Sequence, residues 1–342
     1  MLWRGAIVFL VLLIGLECSA RLPIVQAKIP LRSMGFSNYL FEIKWAKLKE
    51  FVKQNGVPDA IIVGNSMVNT GIDPLVINQT MKELTGKSIT IFNFGVEGLN
   101  LSAIDDLARL LAETYHPRIL MVGTDIRDYS LRMDQLPSDE FMRTSWLKYR
   151  LGDFSINGWL VDHSAFLQYY LLGKDWFQPD FIEQLQTVFK RYKDANAAGY
   201  ELDRHVPTSD YQNPDPQNAN DKALLDLFKN YVFDPGRLGL LDSLVKMGKE
   251  NSTSVIFIEM PLQKTMYQFF DHPEQTREDF LQRIRPIIQQ AGGTLIETPI
   301  YGDIPDTGWG NRTHLNLNGA PIFSQFLGEQ FVKLPEIQAL MK

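Results

Sequence analysis

The sequence predicts an α/β fold of three layers, with a five-stranded, mostly parallel sheet between two layers of helices. Three observations predict it. Short unbroken apolar runs, such as Ala60–Val63 and, within the stretch Arg118–Val122, Ile119–Val122, have the character of strands buried on both faces. Helical patterns alternate with these runs, which implies right-handed crossovers between parallel neighbours. The first three runs end in glycine-bearing turns, Gly64-Asn65-Ser66, Gly95-Val96-Glu97-Gly98 and Gly123-Thr124-Asp125, at the strand ends where open α/β sheets hold their ligands.

The first 30 residues read as a signal peptide or an N-terminal membrane anchor. Arg4 precedes an apolar run from Ala6 to Leu16, short of the roughly 20 residues a spanning helix needs. Cys18-Ser19-Ala20 suits a cleavage site, whereas extending the run through Glu17 to Ala20, with Arg21, Lys28 and Arg32 beyond, makes an uncleaved anchor. Both readings export the remainder, residues 31–342. A residue other than Glu17 would be expected before a lipidated cysteine, so a lipoprotein is not predicted. From Phe41 to Gly56 an amphipathic helix is expected, with Phe41, Trp45, Leu48 and Val52 on one face, packing against the domain in preference to lying on a membrane surface.

The first strand, Ala60–Val63, is followed by Ser66 and then by a helix opened by Asp73 as cap and Pro74 in the first turn, running to Gly86. A second strand is expected over Ser88–Phe94, a helix over about Ser102–Tyr115, and the third strand at Arg118–Val122. Residues from about 128 to 249 form a long, aromatic, mostly helical insertion carrying a polar, proline-rich loop from Pro207 to Asp221, a candidate lid or a plain surface excursion. The core resumes with a strand at Ser254–Met260, a helix from about Arg277 to Gln290 and a strand at Thr294–Glu297.

The chain has 342 residues, 45% hydrophobic and 11% aromatic, enough to bury a large core. A net charge of −6 gives no basic footprint, so no nucleic-acid partner is expected. The single cysteine, Cys18, lies in the apolar N-terminus, which excludes disulfide, thiolate and cysteine-zinc chemistry in the folded part. The five histidines are scattered and form no pair at ligand spacing, and no phosphate-binding glycine loop is present, so neither metal nor cofactor is expected.

The stretch Trp309 to Ala320 follows the fifth strand and precedes a C-terminal helix, which places His314 on the same sheet edge as Ser66. A serine beside a histidine that can take its proton, with a third polar group to orient the ring, is the minimum for nucleophilic acyl chemistry. The order GNS, GVEG, GTD and NRTHLNLNGA resembles the SGNH/GDSL hydrolase superfamily over most of residues 58 to 330. That resemblance implies a flavodoxin-like SGNH fold, with Ser66 as nucleophile, His314 as base and the Gly98 backbone N–H as an oxyanion donor beside that of Ser66. The N-terminal apolar segment, the NSMVNTGIDP start, the helical insertion and Met260-Pro261 further resemble membrane-anchored bacterial envelope members, related to polysaccharide O-acetylation and teichoic-acid D-alanylation.

Two positions depart from the family pattern. Asn311 stands where an aspartate usually precedes the histidine by three residues, leaving Asp303 or Asp306 as substitutes if their loop folds back. Asp125 stands where an asparagine usually serves the oxyanion, so it would have to be protonated, turned away, or replaced in that role by Thr124 or Asn100, and Asp128 is expected to be structural. Sequons at Asn78, Asn251 and Asn311 bear on the source, because a glycan on Asn311 would fill the space beside His314; a bacterial envelope fits better. The expectation is an exported or membrane-anchored serine esterase or acyltransferase acting on O-acyl groups of envelope carbohydrate. The alternative is a catalytically weakened relative that binds glycan or scaffolds an assembly.

Overall fold

The computed structural model of the chain describes residues 2–36, 38–132, 144–203, 214–215, 217–299 and 303–341. Its elements run α1 (Leu2–Ala20), α2 (Pro23–Lys28), α3 (Tyr39–Asn55), β1 (Ala60–Gly64), α4 (Ser66–Gly71), α5 (Pro74–Thr85), β2 (Ile91–Gly95), α6 (Leu101–Tyr115) and β3 (Ile119–Thr124). Then come α7 (Ser145–Arg150), α8 (Ile156–His163), α9 (Ala165–Gly173), α10 (Phe181–Asp194), α11 (Ala219–Phe228) and α12 (Pro235–Glu250). The chain finishes with β4 (Ser254–Glu259), α13 (Lys264–Tyr267), α14 (Pro273–Ala291), β5 (Thr294–Ile296), α15 (Gly319–Phe331) and α16 (Pro335–Leu340). Two compact units emerge, Met1–Lys49 with Asp139–Lys193, and Glu50–Ser138 with Asp194–Lys342. The insertion expected as one block from 128 to 249 is thus divided, with its middle grouped with the N-terminal segment and its second part returned to the α/β unit.

In the α/β unit all five strands are parallel and lie in the order β2-β1-β3-β4-β5. The order reverses at β1, whose chain proceeds outward to β2 and later back to β3 on its other side. With right-handed crossovers this reversal puts α5 on one face and α6, α12 and α14 on the other. The contacts agree, since α15 packs on α5 and α4, while α12 packs on α6 and α14. The core strands are buried along nearly their whole length, which is why they read as continuous apolar runs. Asp73 caps α5 by accepting from the Leu75 amide at 2.9 Å, and Gly86 closes that helix in the left-handed conformation, both as the sequence predicts. The second strand starts later than expected, at Ile91, because Thr90 instead pairs with Asp59 through its amide and hydroxyl at 2.9 and 2.8 Å.

The helical unit has its own aromatic core. Phe36, Phe41, Trp45 and Trp146 pack with ring centroids 4.1 Å (Phe36–Phe41), 5.7 Å (Phe41–Trp45) and 5.4 Å (Trp45–Trp146) apart. The expected inward face of α3 is therefore buried at Phe41, Trp45 and Leu48, while Val52 is half-buried. Helix α1 is 19 residues long and almost wholly exposed. Most of the polar loop proposed as a lid, Pro207 to Asp221, lies outside the described residues.

Candidate active site

Gly64 ends β1 and Ser66 begins α4, so the predicted serine turn is followed at once by a short helix. Asn65 caps that helix, its Oδ1 accepting from the Met67 amide at 2.9 Å. The far end of α4 is held by Asn93 on β2, a fully buried polar residue in an otherwise apolar run. Its Nδ2 donates to the carbonyls of Val68 and Ile72 at 2.7 Å each, and its Oδ1 accepts from the Gly95 amide at 2.8 Å. Asn93 thus joins the helix carrying Ser66 to the neighbouring strand, adding a second donor to the Val68 carbonyl, which also accepts from the Ile72 amide, and meeting the carbonyl of Ile72 just past the helix end. Gly95 is required because α4 lies over it: a Cβ there would stand 2.3 Å from the Asn69 amide nitrogen.

His314 is set by a loop built on buried Asn316. The Asn316 Nδ2 donates to the carbonyls of Thr307 (3.1 Å) and Trp309 (2.9 Å), while its Oδ1 accepts from the amide of Asn318 at 2.9 Å. Trp309 and Leu315 form an antiparallel bridge across this loop, and the Gly310 amide donates to the His314 carbonyl at 2.8 Å. A second brace is Arg312, whose two terminal nitrogens meet the Asp221 carboxylate at 2.7 and 3.1 Å while the guanidinium lies over the Phe269 ring at 5.0 Å. Burial pushes the Asp221 carboxyl up, but the Asp215 amide and Arg312 outweigh it and hold the group below the ordinary carboxylate value.

These two constructions bring the predicted pair together. The Ser66 Oγ lies 2.7 Å from the His314 Nε2, and the His314 Nδ1 lies 2.9 Å from the Asn311 Oδ1. The Thr313 hydroxyl is 3.0 Å from the same Nδ1. The Asn311 Oδ1 also accepts from the amides of Thr313 and His314, at 2.9 and 3.0 Å, so the carbonyl oxygen of its side chain faces the ring. With Nδ1–H donating to that carbonyl, Nε2 is left as the acceptor for the Ser66 hydroxyl. Both His314 and Ser66 are partly exposed, which leaves the pair open to a ligand.

The remaining predicted residues fall elsewhere. Gly98 lies in the turn after β2 with φ +77°, and a Cβ there would meet nothing within 4 Å, so its backbone conformation alone calls for glycine. Asp125 offers nothing to an oxyanion: its carboxylate accepts from Arg127 Nε at 2.7 Å and Nη2 at 2.8 Å, and from the Arg127 amide at 2.8 Å. The hydroxyl of Thr124 is engaged with Asp128 at 3.0 Å and with the Tyr129 hydroxyl at 3.1 Å. Asp128 is structural as expected, accepting from the Asp125 amide at 3.0 Å, and burial followed by the Asp125 charge pushes its carboxyl up. Asn100 caps α6 through its Oδ1, 3.0 Å from the Ala103 amide. Asp306 pairs with Gln263 and Lys264, at 3.2 Å each, and with Asp303 lines a cavity of about 350 Å³ beside Trp309; the group on His314 Nδ1 is Asn311.

Sequence reasoning missed Asn93, Asn316 and the Arg312–Asp221 brace. The signal for Asn93 was a lone amide inside an apolar strand. No comparable signal existed for Asp221, which lies 91 positions from Arg312.

No protein-family model and no curated protein matches the sequence. Among solved structures, the chain is similar to an acetylxylan esterase from Geobacillus stearothermophilus, with 11% identity, 78% of this chain and 91% of that one covered and a TM-score of 0.38. A lipase/acylhydrolase from Enterococcus faecalis aligns at 12% identity over 83% and 97% of the two chains, with a TM-score of 0.37. The psychrotrophic esterase EstA from a Pseudoalteromonas species aligns at 9% identity over 81% and 100%, with a TM-score of 0.39. With TM-scores this low, the chemistry rests on the site itself. The chain is an α/β protein whose serine, histidine and asparagine meet at the edge where its parallel sheet reverses order.

Proposed function

We propose that this chain is a serine esterase or acyltransferase of the SGNH type, held on the outer side of a bacterial membrane by α1 and acting on O-acyl groups of envelope carbohydrate. The observation that carries the reading is the relay Ser66 Oγ–His314 Nε2 at 2.7 Å and His314 Nδ1–Asn311 Oδ1 at 2.9 Å. Ser66 attacks the ester carbonyl as its proton passes to Nε2, and the backbone N–H groups of Ser66 and Gly98 receive the oxyanion. As the bond from the acyl carbon to the sugar oxygen breaks, the imidazolium gives that proton to the departing oxygen, leaving a free sugar hydroxyl and an acyl-Ser66. Water or a second hydroxyl, deprotonated by His314, releases the acyl group and restores the serine.

Anchoring, rather than cleavage after Ala20, is supported by Glu17. Its carboxylate accepts from the Ser164 hydroxyl at 2.8 Å and from the amides of Ala165 and Phe166 at 3.0 Å each, the opening turn of α9. Cleavage would remove this cap.

Asn311 favours a second reading, a glycan-binding or scaffolding relative with weakened chemistry, since an amide orients imidazole without charge stabilisation of the imidazolium. Reaction with a fluorophosphonate and release of p-nitrophenol from a short acyl ester separate the two. Wild type is expected to do both. Ser66→Ala should do neither while keeping its melting temperature, since a partly exposed hydroxyl contributes little to the fold. A wild type that neither labels nor turns over, and forms no acyl-Ser66 with an acylated saccharide, sinks the enzyme reading.

A further inference from the structure

We propose that the helical segment from Phe154 to Ile182 is a second membrane contact, its exposed aromatic and aliphatic side chains lying in the interface of the bilayer that α1 spans. The proposal rests on the reading of α1 as an anchor. Outside α1, every exposed large aromatic side chain among the described residues belongs to this segment: Phe154, Trp159, Tyr170, Trp176 and Phe177. Trp176 is 74% exposed, Phe154 73% and Phe177 66%, with Ile156 at 68% and Ile182 at 61% beside them. Among the described residues, the exposed large hydrophobic side chains of the α/β unit are aliphatic, for example Leu75 and Leu84. Scattered exposed leucines are ordinary, whereas aromatic rings concentrated in one short segment mark a contact surface.

The occupant follows from the way α1 is tied in. Helix α1, at 19 residues, spans about 28 Å, close to the hydrocarbon thickness of a bilayer. Its last turn is fixed to the junction of α8 and α9: Glu17 caps α9, and the Arg21 guanidinium donates to the His163 carbonyl at 2.6 Å. Farther along, the Tyr169 hydroxyl donates to the Ile29 carbonyl at 2.9 Å, and the Ser33 amide to the Gln168 carbonyl at 3.1 Å. The chain leaving the membrane is therefore held along α9.

Helices of 8 and 9 residues extend only about 12–14 Å from that junction, so Ile156, Trp159 and Tyr170 stay within about that distance of the end of the span. The polar interface adds roughly 5–8 Å to each side of the hydrocarbon, and long side chains cover the remainder. Trp and Tyr are the residues that settle at this level, with rings in the acyl boundary and polar edges in the headgroups. A lipid surface is the partner that continuity with α1 supplies. In the proposed reaction this contact would hold the unit against the membrane, so that one helix is not the sole attachment.

The test uses the full chain with Cys18→Ser, reconstituted in vesicles of phosphatidylethanolamine and phosphatidylglycerol. Single spin-labelled cysteines replace Leu10, Phe177, Ile182 or Leu84, all exposed, so folding is little disturbed. Collision with oxygen, which partitions into lipid, is compared with collision with a water-soluble nickel chelate. The expected result is an oxygen-to-nickel ratio at Phe177 and Ile182 severalfold above that at Leu84. A Leu84-like ratio at both positions overturns the platform, and a lipid signal at Leu10 in the same experiment shows that the anchor stands without it. A water signal at Leu10 removes the anchor and, with it, the bilayer on which the proposal rests, so it overturns the proposal whatever Phe177 reports. Labels shielded from both reagents mean burial against a second copy, which also overturns the lipid assignment.

Discussion

Replacing Asn311 with aspartate tests the relay where it is weakest. The Oδ1 of Asn311 lies 2.9 Å from the His314 Nδ1 and also accepts the amides of Thr313 and His314, so a carboxylate can take over every one of these bonds without moving the loop. What it adds is charge beside an imidazolium that forms only as Ser66 is deprotonated. Two unit charges about 4 Å apart interact by about 1 kcal/mol in water and about 4 kcal/mol at an effective dielectric constant of about 20. Asn311 is exposed while His314 is half-buried, which places the gain nearer the lower figure, at about 1–2 kcal/mol. Turnover in kcat/KM should therefore rise about tenfold. The same charge favours protonated imidazole, so the acid limb of the pH–rate profile should move to higher pH. The assay is p-nitrophenyl acetate hydrolysis across the neutral range. An active wild type whose rate and acid limb are both unchanged by Asn311→Asp would show that another group stabilises the imidazolium, refuting the relay as drawn.

Other perturbations test how the site is held. Asn93→Ala removes three buried hydrogen bonds and leaves the Val68 carbonyl only its bond from the Ile72 amide, so unfolding in denaturant should show a loss of about 3 kcal/mol; a loss below about 1 kcal/mol would mean that Asn93 does not secure α4. Gly95→Ala puts a methyl group 2.3 Å from the Asn69 amide nitrogen, which must push α4 and Ser66 outward, so fluorophosphonate labelling should slow at least as steeply as stability falls. In the helical unit, burial pushes the Glu42 carboxyl up to about 8 even though the Ser33 hydroxyl and the Met34 and Phe36 amides draw it down. Its folded form keeps a proton that the unfolded chain loses near pH 4, so the stability it contributes is full below about pH 4 and is lost as pH rises to about 8. Glu42→Gln should flatten this dependence, and melting temperatures of wild type and variant that fall in parallel between pH 5 and pH 8 would refute the assignment.

The strands were legible because burial on both faces leaves an unbroken apolar signature, and the rim was legible because glycines mark it, Gly98 for its left-handed backbone and Gly64 for the close approach of Val68. Ser66 and His314 could be paired before the fold was seen because chain order alone placed both after strands of one parallel sheet. Their support was not legible. Asn316 acts through backbone carbonyls, which carry no residue identity, and the partner of Arg312 is set by tertiary placement. The division of the insertion was hidden for a related reason. The sequence of α7 to α10 reads as aromatic and helical, but whether those apolar side chains meet the sheet or Phe41 and Trp45 depends on packing that periodicity does not encode.

The two positions that depart from the pattern the sequence resembles have unequal consequences. Asp125 looks hostile to an oxyanion, yet its charge is bound by the part-buried Arg127 at 2.7 Å and its backbone is fixed in a capped turn with Asp128, both carboxylates being buried. Removing Arg127 would leave an uncompensated buried carboxylate, so the pair belongs to the fold and its charge is already matched before any substrate arrives. Asn311 has no such compensation, because its carbonyl meets the ring that must become charged. Competence thus turns on one amide in place of one carboxylate. An amide still fixes the tautomer and aims Nε2 at Ser66, so the site keeps the geometry of acyl transfer and gives up only the charge. A slow enzyme with an intact nucleophile is what that combination predicts: fluorophosphonate labelling that depends on Ser66 together with weak ester turnover, whereas complete inertness of Ser66 requires a fault elsewhere.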